Sequence, residues 1–114
     1  RGDMTKLEGE KKKRADLARN IFINRIIRYV GAYTLEMGGL DGIAFTAGVG
    51  EHDFGVREHV MDSLELLGLK PDSAANKENA TIITKPDSTI VGMVIPTNEE
   101  LMIERDVVRV AGLK

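Results

Sequence analysis

The stretch over residues 41–52, DGIAFTAGVGEH, constrains the fold of this chain more than any other. Residues 42–47 predict a strand with almost no polar side chains, so both of its faces should be covered, as in an α/β sheet. A turn of Gly48, Val49 and Gly50 follows, and a new helix is predicted a few residues later. We therefore predict an α/β fold built on this strand.

The glycines of this turn are candidate ligand-binding residues. Loops at the carboxyl ends of such strands are where ligands usually bind, and the change from strand to helix leaves backbone N–H groups open. Gly48 and Gly50 have no Cβ, so the backbone can take positive φ and approach a phosphate or a nucleoside closely. The pattern is short and common, however, and a tight turn without any ligand explains it more often than a binding site does.

Composition limits the function classes. A chain of 114 residues has room for one domain with a modest core, and its formal net charge of −2 argues against a general nucleic-acid binder. The absence of cysteine excludes disulfides and thiolate metal sites. No apolar run is long enough to span a bilayer and no signal peptide opens the chain, which predicts a cytoplasmic protein. A start at Arg1, without methionine, predicts a fragment or a processed product.

Apolar spacing predicts three helices beside a mixed sheet, over about residues 12–37, 54–67 and 98–110. Two adjoining apolar stripes indicate that the first helix is broadly buried, with Arg19 left among the polar residues for a face that meets water or a partner. The pair Gly38-Gly39 predicts a left-handed residue at the end of this helix.

Asp53 is the predicted N-cap of the second helix, and Gly68 its stop. The apolar residues of this helix predict a buried face, and the polar ones fall mostly on the opposite face: Arg57, Glu58, His59 and Asp62. A polar segment at 70–80 predicts a loop with one helical turn. Residues 81–84 and 89–95 predict an antiparallel hairpin at the edge of the sheet.

The third helix begins with a capping box, Thr97 as N-cap and Glu100 three residues later. If Glu100 folds back onto the cap, helix geometry turns Glu99 about 100° away, toward a different neighbour. A carboxylate there can hold Mg²⁺ directly or through water. The alternative is a favourable charge at a helix N-terminus, worth up to about 1 kcal/mol.

Five segments together resemble the C-terminal region of the acetate kinase family: FTAGVGE (45–51), VRE (56–58), LELLGL (64–69), IPTNEELMIERD (95–106) and RYVGAYTLEMGGLD (28–41). The resemblance implies the actin-like, ribonuclease-H-like fold of acetate and sugar kinases. Residues 1–114 would then be a single domain, the C-terminal portion of a larger two-domain acyl kinase. It also implies transfer of the γ-phosphoryl group of ATP to acetate, giving acetyl phosphate and ADP.

Particular residues take roles through this resemblance. The family's metal-binding glutamate falls on Glu99, and an Asp-x-Arg motif beside the nucleotide would end at Arg1. The second ATP-binding loop of the family is usually Gly-hydrophobic-Gly-Glu-Asn, and it falls on Gly48, Val49, Gly50, Glu51 and His52. The final residue departs from the pattern, because His differs from Asn in size and protonation.

The resemblance also implies what this chain lacks. The family's acetate-binding residues, and the groups that stabilise the phosphoryl group in flight, belong to the N-terminal portion, so no catalytic residue is assigned here. We expect ATP or ADP and Mg²⁺ as cofactors, a homodimer, no nucleic acid, no membrane and no activity from the fragment alone. Two alternatives remain, a kinase for propionate or another short acid and a non-catalytic assembly module.

Overall fold

The structure, a computed structural model, describes residues 2–46, 53–96 and 107–110, with side chains from residue 5 onward. Its elements in chain order are α1 (Gly2–Met37), β1 (Gly42–Phe45), α2 (Phe54–Ser63), a 3-10 turn (Glu65–Leu67), α3 (Ser73–Lys77), β2 (Val91–Val94) and β3 (Val107–Val110).

The three strands form one sheet in the order β2-β1-β3, and β1 pairs in parallel with both neighbours. All four residues of β1 are buried, as expected for a strand covered on both faces. The α/β class predicted from residues 42–47 is therefore confirmed.

The two faces of the sheet bury different amounts of apolar surface. Ile43 and Phe45 point into the main core, which the buried side of α1 and the inner face of α2 complete. Ala44 points to the other face, where Met93 and Ile95 join it in a smaller cluster. Successive side chains of β1 thus point to opposite faces of the sheet and contribute to both apolar clusters, as the period of two in a strand requires.

Helix α1 is longer than predicted and only partly packed. It starts at Gly2, about ten residues before the predicted start, and every described side chain over 5–21 is exposed. Its packed part is the C-terminal half, where Ile26 and Val30 are fully buried. Gly38 ends the helix at φ +77°, and the Gly39 N–H donates to the Thr34 carbonyl at 3.0 Å, so the predicted left-handed stop is confirmed.

The second predicted helix is interrupted before its end. Helix α2 stops at Ser63, and the predicted last turn is the separate 3-10 turn. Gly68 closes that turn at φ +98°, as predicted for a stop residue. A side chain at this position would also overlap Thr89, whose hydroxyl donates to the Leu67 carbonyl at 3.1 Å.

The predicted third helix is wrong over its last residues. Residues 107–110 form strand β3, with Val108 and Val110 buried and Arg109 exposed between them. The β-branched residues alternate in burial while they pair with β1, and this sheet pairing overrides the helical spacing that the sequence also allows. The rest of the predicted helix, 98–106, lies outside the described residues.

The predicted hairpin is reduced to an antiparallel contact. The strand predicted over 89–95 is observed as β2, but its ladder runs parallel to β1. Residues 81–84 pair with its other edge through the antiparallel bridge of Ile82 with Met93, and the Ile83 N–H donates to the Gly92 carbonyl at 2.9 Å. Parallel and antiparallel pairing therefore meet at β2.

Candidate functional site

The carboxyl ends of the three described strands lie side by side. Phe45 is the register partner of both Val94 and Val110, and its carbonyl accepts from the Ile95 N–H at 3.0 Å. The Thr46 N–H donates to the Val110 carbonyl at 2.8 Å. Both predicted binding segments follow in the sequence from this edge, one after β1 and the other after β2.

The predicted site residues themselves lie outside the described part of the chain. These are Arg1, the metal candidate Glu99, the capping pair Thr97 and Glu100, and the loop residues Gly48, Val49, Gly50, Glu51 and His52. Their roles stay predictions. The described residues that flank the loop, Thr46 before it and Asp53 after it, determine where it must begin and end.

Asp53 caps α2, as predicted. Its Oδ1 accepts from the N–H groups of Gly55 at 3.0 Å and Val56 at 3.1 Å. Two of the first-turn amides of α2 are therefore already used, and a carboxylate lies at that helix end. The sequence predicted open N–H groups at the start of this helix, but those of Gly55 and Val56 are already bonded to Asp53. An anion bound near here would need donors from the preceding loop, because Asp53 would repel it from α2.

A second contact reaches Asp53 from α1. The Arg19 guanidinium donates through Nη2 to Asp53 Oδ1 at 2.9 Å, and the two side chains are 47% and 33% exposed. A Cβ added at Gly55 would overlap this guanidinium, so Arg19 would have to shift if residue 55 carried a side chain. The sequence predicted that Arg19 faces water or a partner. In the structure, Arg19 contacts Asp53 of the same chain.

Arg57 is fully buried, which contradicts its predicted place on the outward face of α2. Its Nε donates to Asn76 Oδ1 at 2.7 Å, and its Nη2 donates to the Asn76 carbonyl at 2.8 Å and to Asn79 Oδ1 at 2.6 Å. Burial lowers the pKa of Arg57, and the nearby charge of Asp53 opposes that shift. The guanidinium stays charged at neutral pH, because arginine begins so far above it.

Asn76 completes this buried network. Its amide nitrogen donates to the Phe54 carbonyl at 2.8 Å and to Glu58 Oε1 at 3.0 Å. The Ser73 hydroxyl donates to Glu58 Oε2 at 2.8 Å. The polar segment predicted as a loop with one helical turn is thus α3 and its flanks, and it holds the first turn of α2 in place.

Two signals in the sequence could have indicated this network. Arg57 lies four residues before the buried Met61, so the two share one face of α2. The polar segment also carries two asparagines three residues apart, Asn76 and Asn79, whose carbonyl oxygens suit a guanidinium. Neither pattern is specific, since charged residues are rarely fully buried.

A groove of about 530 Å³ lies beside α2. It is lined by apolar and polar residues together: Phe54, Gly55, Glu58, His59, Asp62, Ser73 and Lys77. Among the residues that the structure describes, no group of three or more His, Asp, Glu or Cys side chains could hold a metal ion. Within the same ranges, no helix is both long and apolar enough to cross a membrane.

Comparison with known proteins identifies the family. The sequence profile of the Acetokinase family matches residues 1–105. The acetate kinase of Clostridium novyi (strain NT) is 50% identical over 107 residues, which are 91% of this chain and 26% of that enzyme. The acetate kinase of Geobacillus sp. (strain WCH70) is 46% identical over 113 residues, 97% of this chain and 28% of that enzyme.

Solved structures agree with this match. A crystal structure of Porphyromonas gingivalis acetate kinase superposes with a TM-score of 0.71 at 40% identity, over 75% of this chain and 22% of that one. A propionate kinase from Francisella tularensis superposes with a TM-score of 0.65 at 38% identity, over 77% of this chain and 23% of that one. The α/β fold is thus part of the actin-like fold of these kinases, and the chain spans about a quarter of its relatives' length. The chain belongs to the acetokinase family.

Proposed function

We propose that this chain supplies nucleotide and Mg²⁺ contacts to an enzyme that transfers the γ-phosphoryl group of ATP to acetate, giving acetyl phosphate and ADP. The supporting observation is that the carboxyl ends of β1 and β2 are adjacent, with Phe45 and Val94 in register. Ligands of open α/β sheets bind at such edges. The loop over 48–52 and the segment that carries Glu99 both continue from this edge.

The capped start of α2 refines the roles within the loop. Because Asp53 occupies the amides of Gly55 and Val56, the backbone of Gly48, Val49 and Gly50 is the better source of donors to the nucleotide. Glu51, His52 and Arg1 complete the proposed contacts. Glu99 is the proposed Mg²⁺ ligand, and the cation would offset the charge of the ATP phosphates.

Catalysis is proposed for the intact parent enzyme and not for this chain alone. Phosphoryl transfer depends on charge-stabilising groups around the transferred phosphate, and we assign none of them to these residues. We propose that residues 1–114 form one domain in the C-terminal portion of a two-domain cytoplasmic enzyme. The parent sequence tests this placement: most of the remaining length should precede Arg1, and a long extension after Lys114 instead would contradict it.

We also propose that the parent enzyme is a homodimer. Tyr29, Leu35 and Met37, large apolar residues near the C-terminal end of α1, are exposed, and Leu35 is 85% exposed. Because the chain spans about a quarter of its relatives' length, these residues can contact the rest of the parent chain or a second subunit, and the homodimer is proposed from the family resemblance. Light scattering of the intact protein should give the mass of two subunits, and a monomer at high concentration would count against the proposal.

A coupled assay on the intact parent tests the activity. With ATP and Mg²⁺, turnover should be fastest with acetate as acceptor, and slower with propionate and butyrate. A preference for propionate would favour the second candidate, which the similarity to the Francisella tularensis propionate kinase supports. Failure to bind ATP at all would instead indicate the non-catalytic assembly module.

A further inference from the structure

The described residues on either side of segment 47–52, Thr46 and Asp53, are held differently. At the first end, Thr46 is 7% exposed and bonded to β3 through its backbone, as part of the sheet edge. At the other end, Asp53 is partly exposed and is held by its cap bonds and by Arg19. The position of the second end therefore depends on side-chain contacts.

Helix α1 holds Arg19 in a defined place. Ile23, one turn further along, is 3% exposed, and Ile26 is fully buried in the core. The described side chains over 5–21 are all exposed, so Arg19 lies close to the point where α1 leaves the core. Because Arg19 is one turn from the buried Ile23, its Cα has a nearly fixed position. The guanidinium bonded to Asp53 therefore extends from a fixed point of the backbone.

Gly55 leaves room for this contact. It is the second residue of α2, in the first turn after the Asp53 cap. Gly55 is not among the described glycines with positive φ, so its conformation does not require glycine. An added Cβ would overlap the Arg19 guanidinium and approach Asp53 Oδ1 to 3.2 Å. The Arg19 guanidinium thus occupies the space that a side chain at residue 55 would take, and it would have to shift if one were present.

We propose that Arg19 is a positioning residue for the nucleotide-binding loop: by holding Asp53 it sets where residues 48–52 end. This inference rests on the proposed function of that loop. An exposed ion pair stabilises a fold by about 0–1 kcal/mol, so loss of Arg19 should change the free energy of unfolding little, and the positioning role predicts its effect in ATP binding. Small misplacements of binding groups lower activity disproportionately.

The test uses three variants of the intact parent enzyme. Arg19→Met removes the guanidinium, whereas Gly55→Ala keeps every charge and occupies the space that the guanidinium needs. Arg14→Met is the matched control, because Arg14 is an exposed arginine on the same helix. Both test variants should raise KM for ATP by about threefold to fivefold, the most that an ion pair worth up to about 1 kcal/mol can supply, and leave KM for acetate within about twofold. The control should change neither, and Arg19→Lys should give a smaller rise in KM for ATP, which tests the contact even if Arg19→Met folds poorly.

Each alternative outcome is distinct. A rise in KM for ATP with Arg19→Met but not with Gly55→Ala would show long-range charge attraction and overturn the positioning role. Equal rises for ATP and acetate would show a general loss of structure, which also overturns it. Unchanged KM values in a parent that makes acyl phosphate would overturn this inference alone. A wild-type parent that makes no acyl phosphate would overturn the proposed function together with it.

Discussion

Two arginines hold the N-terminal end of α2, Arg57 from within the core and Arg19 from the surface. Arg57 is fully buried and donates three hydrogen bonds to Asn76 and Asn79, whereas Arg19 is about half exposed and is bonded to one carboxylate. A buried donor network is costly to break, because the groups left behind lose their partners without gaining water. We therefore expect Arg57 to contribute mainly to the stability of this region, and Arg19 mainly to the position of Asp53.

The largest effect is expected from Arg57→Met in the intact protein. The change leaves three buried or partly buried oxygens of Asn76 and Asn79 without their donors, so the free energy of unfolding should fall by about 2–4 kcal/mol. Arg57→Lys should recover little of this, since an ammonium cannot reproduce the planar fork of a guanidinium. Urea unfolding measures both, with Arg14→Met as the surface control. A loss below about 0.5 kcal/mol for Arg57→Met would remove the distinction between the two arginines.

A smaller effect is expected at Asp53, which Arg19 contacts. Asp53→Ala removes the cap on Gly55 and Val56, so the free energy of unfolding should fall by about 1 kcal/mol. Asp53→Asn keeps a good capping group and should cost only a few tenths of a kcal/mol. Melting temperatures of the pair should therefore separate clearly. Equal losses for the two variants would mean that the charge of Asp53, and not its cap, stabilises this end of α2.

The smallest effect is expected from an ion pair elsewhere on the surface, Lys70 with Asp87, whose side chains are 54% and 66% exposed. The hydrogen bond from Lys70 to Asp87 at 2.5 Å lowers the pKa of Asp87 from 3.8. A carboxylate with a lowered folded-state pKa contributes stability that is present above the unfolded value and lost as the pH falls through the folded one. The difference in melting temperature between wild type and Asp87→Asn should thus be small at pH 7, begin to shrink as the pH falls past about 3.8, and vanish only below the lower folded-state pKa of Asp87. A difference that grew on acidification would contradict the shift.

The same contrast between core and surface explains what could be predicted from the sequence. The strand after Asp41 was predictable because an unbroken apolar run is typical of a strand that is covered on both faces. The Asp53 cap was predictable because an aspartate before a helix accepts hydrogen bonds from the N–H groups of the first turn. Burial of Arg57 was not, because its partners Asn76 and Asn79 lie about twenty residues away and a charged side chain is ordinarily exposed.

Strand β3 was not predicted from the sequence, for a related reason. Val107, Val108 and Val110 fit a helical stripe as well as a strand, and only their pairing with β1 decides between the two. Long-range contacts of this kind leave no local signal. The candidate loop and Glu99 were inferred from the glycine turn, the capping box and the resemblance together. Strands β1 and β2, which precede them in the sequence, are adjacent, and the roles of the site residues themselves stay predictions.

The central claim, that this chain brings nucleotide and Mg²⁺ contacts to an acyl kinase, is tested most directly by the Mg²⁺ dependence of turnover in the intact parent. Glu99→Ala should lower kcat steeply and raise the Mg²⁺ requirement, with little change in melting temperature. Glu100→Ala should instead lower the free energy of unfolding by about 0.5–1 kcal/mol and largely preserve turnover, as loss of a capping residue does. Glu99→Asp should fall between wild type and Glu99→Ala. An unchanged Mg²⁺ dependence in Glu99→Ala would contradict the account and leave Glu99 as a charge at a helix end.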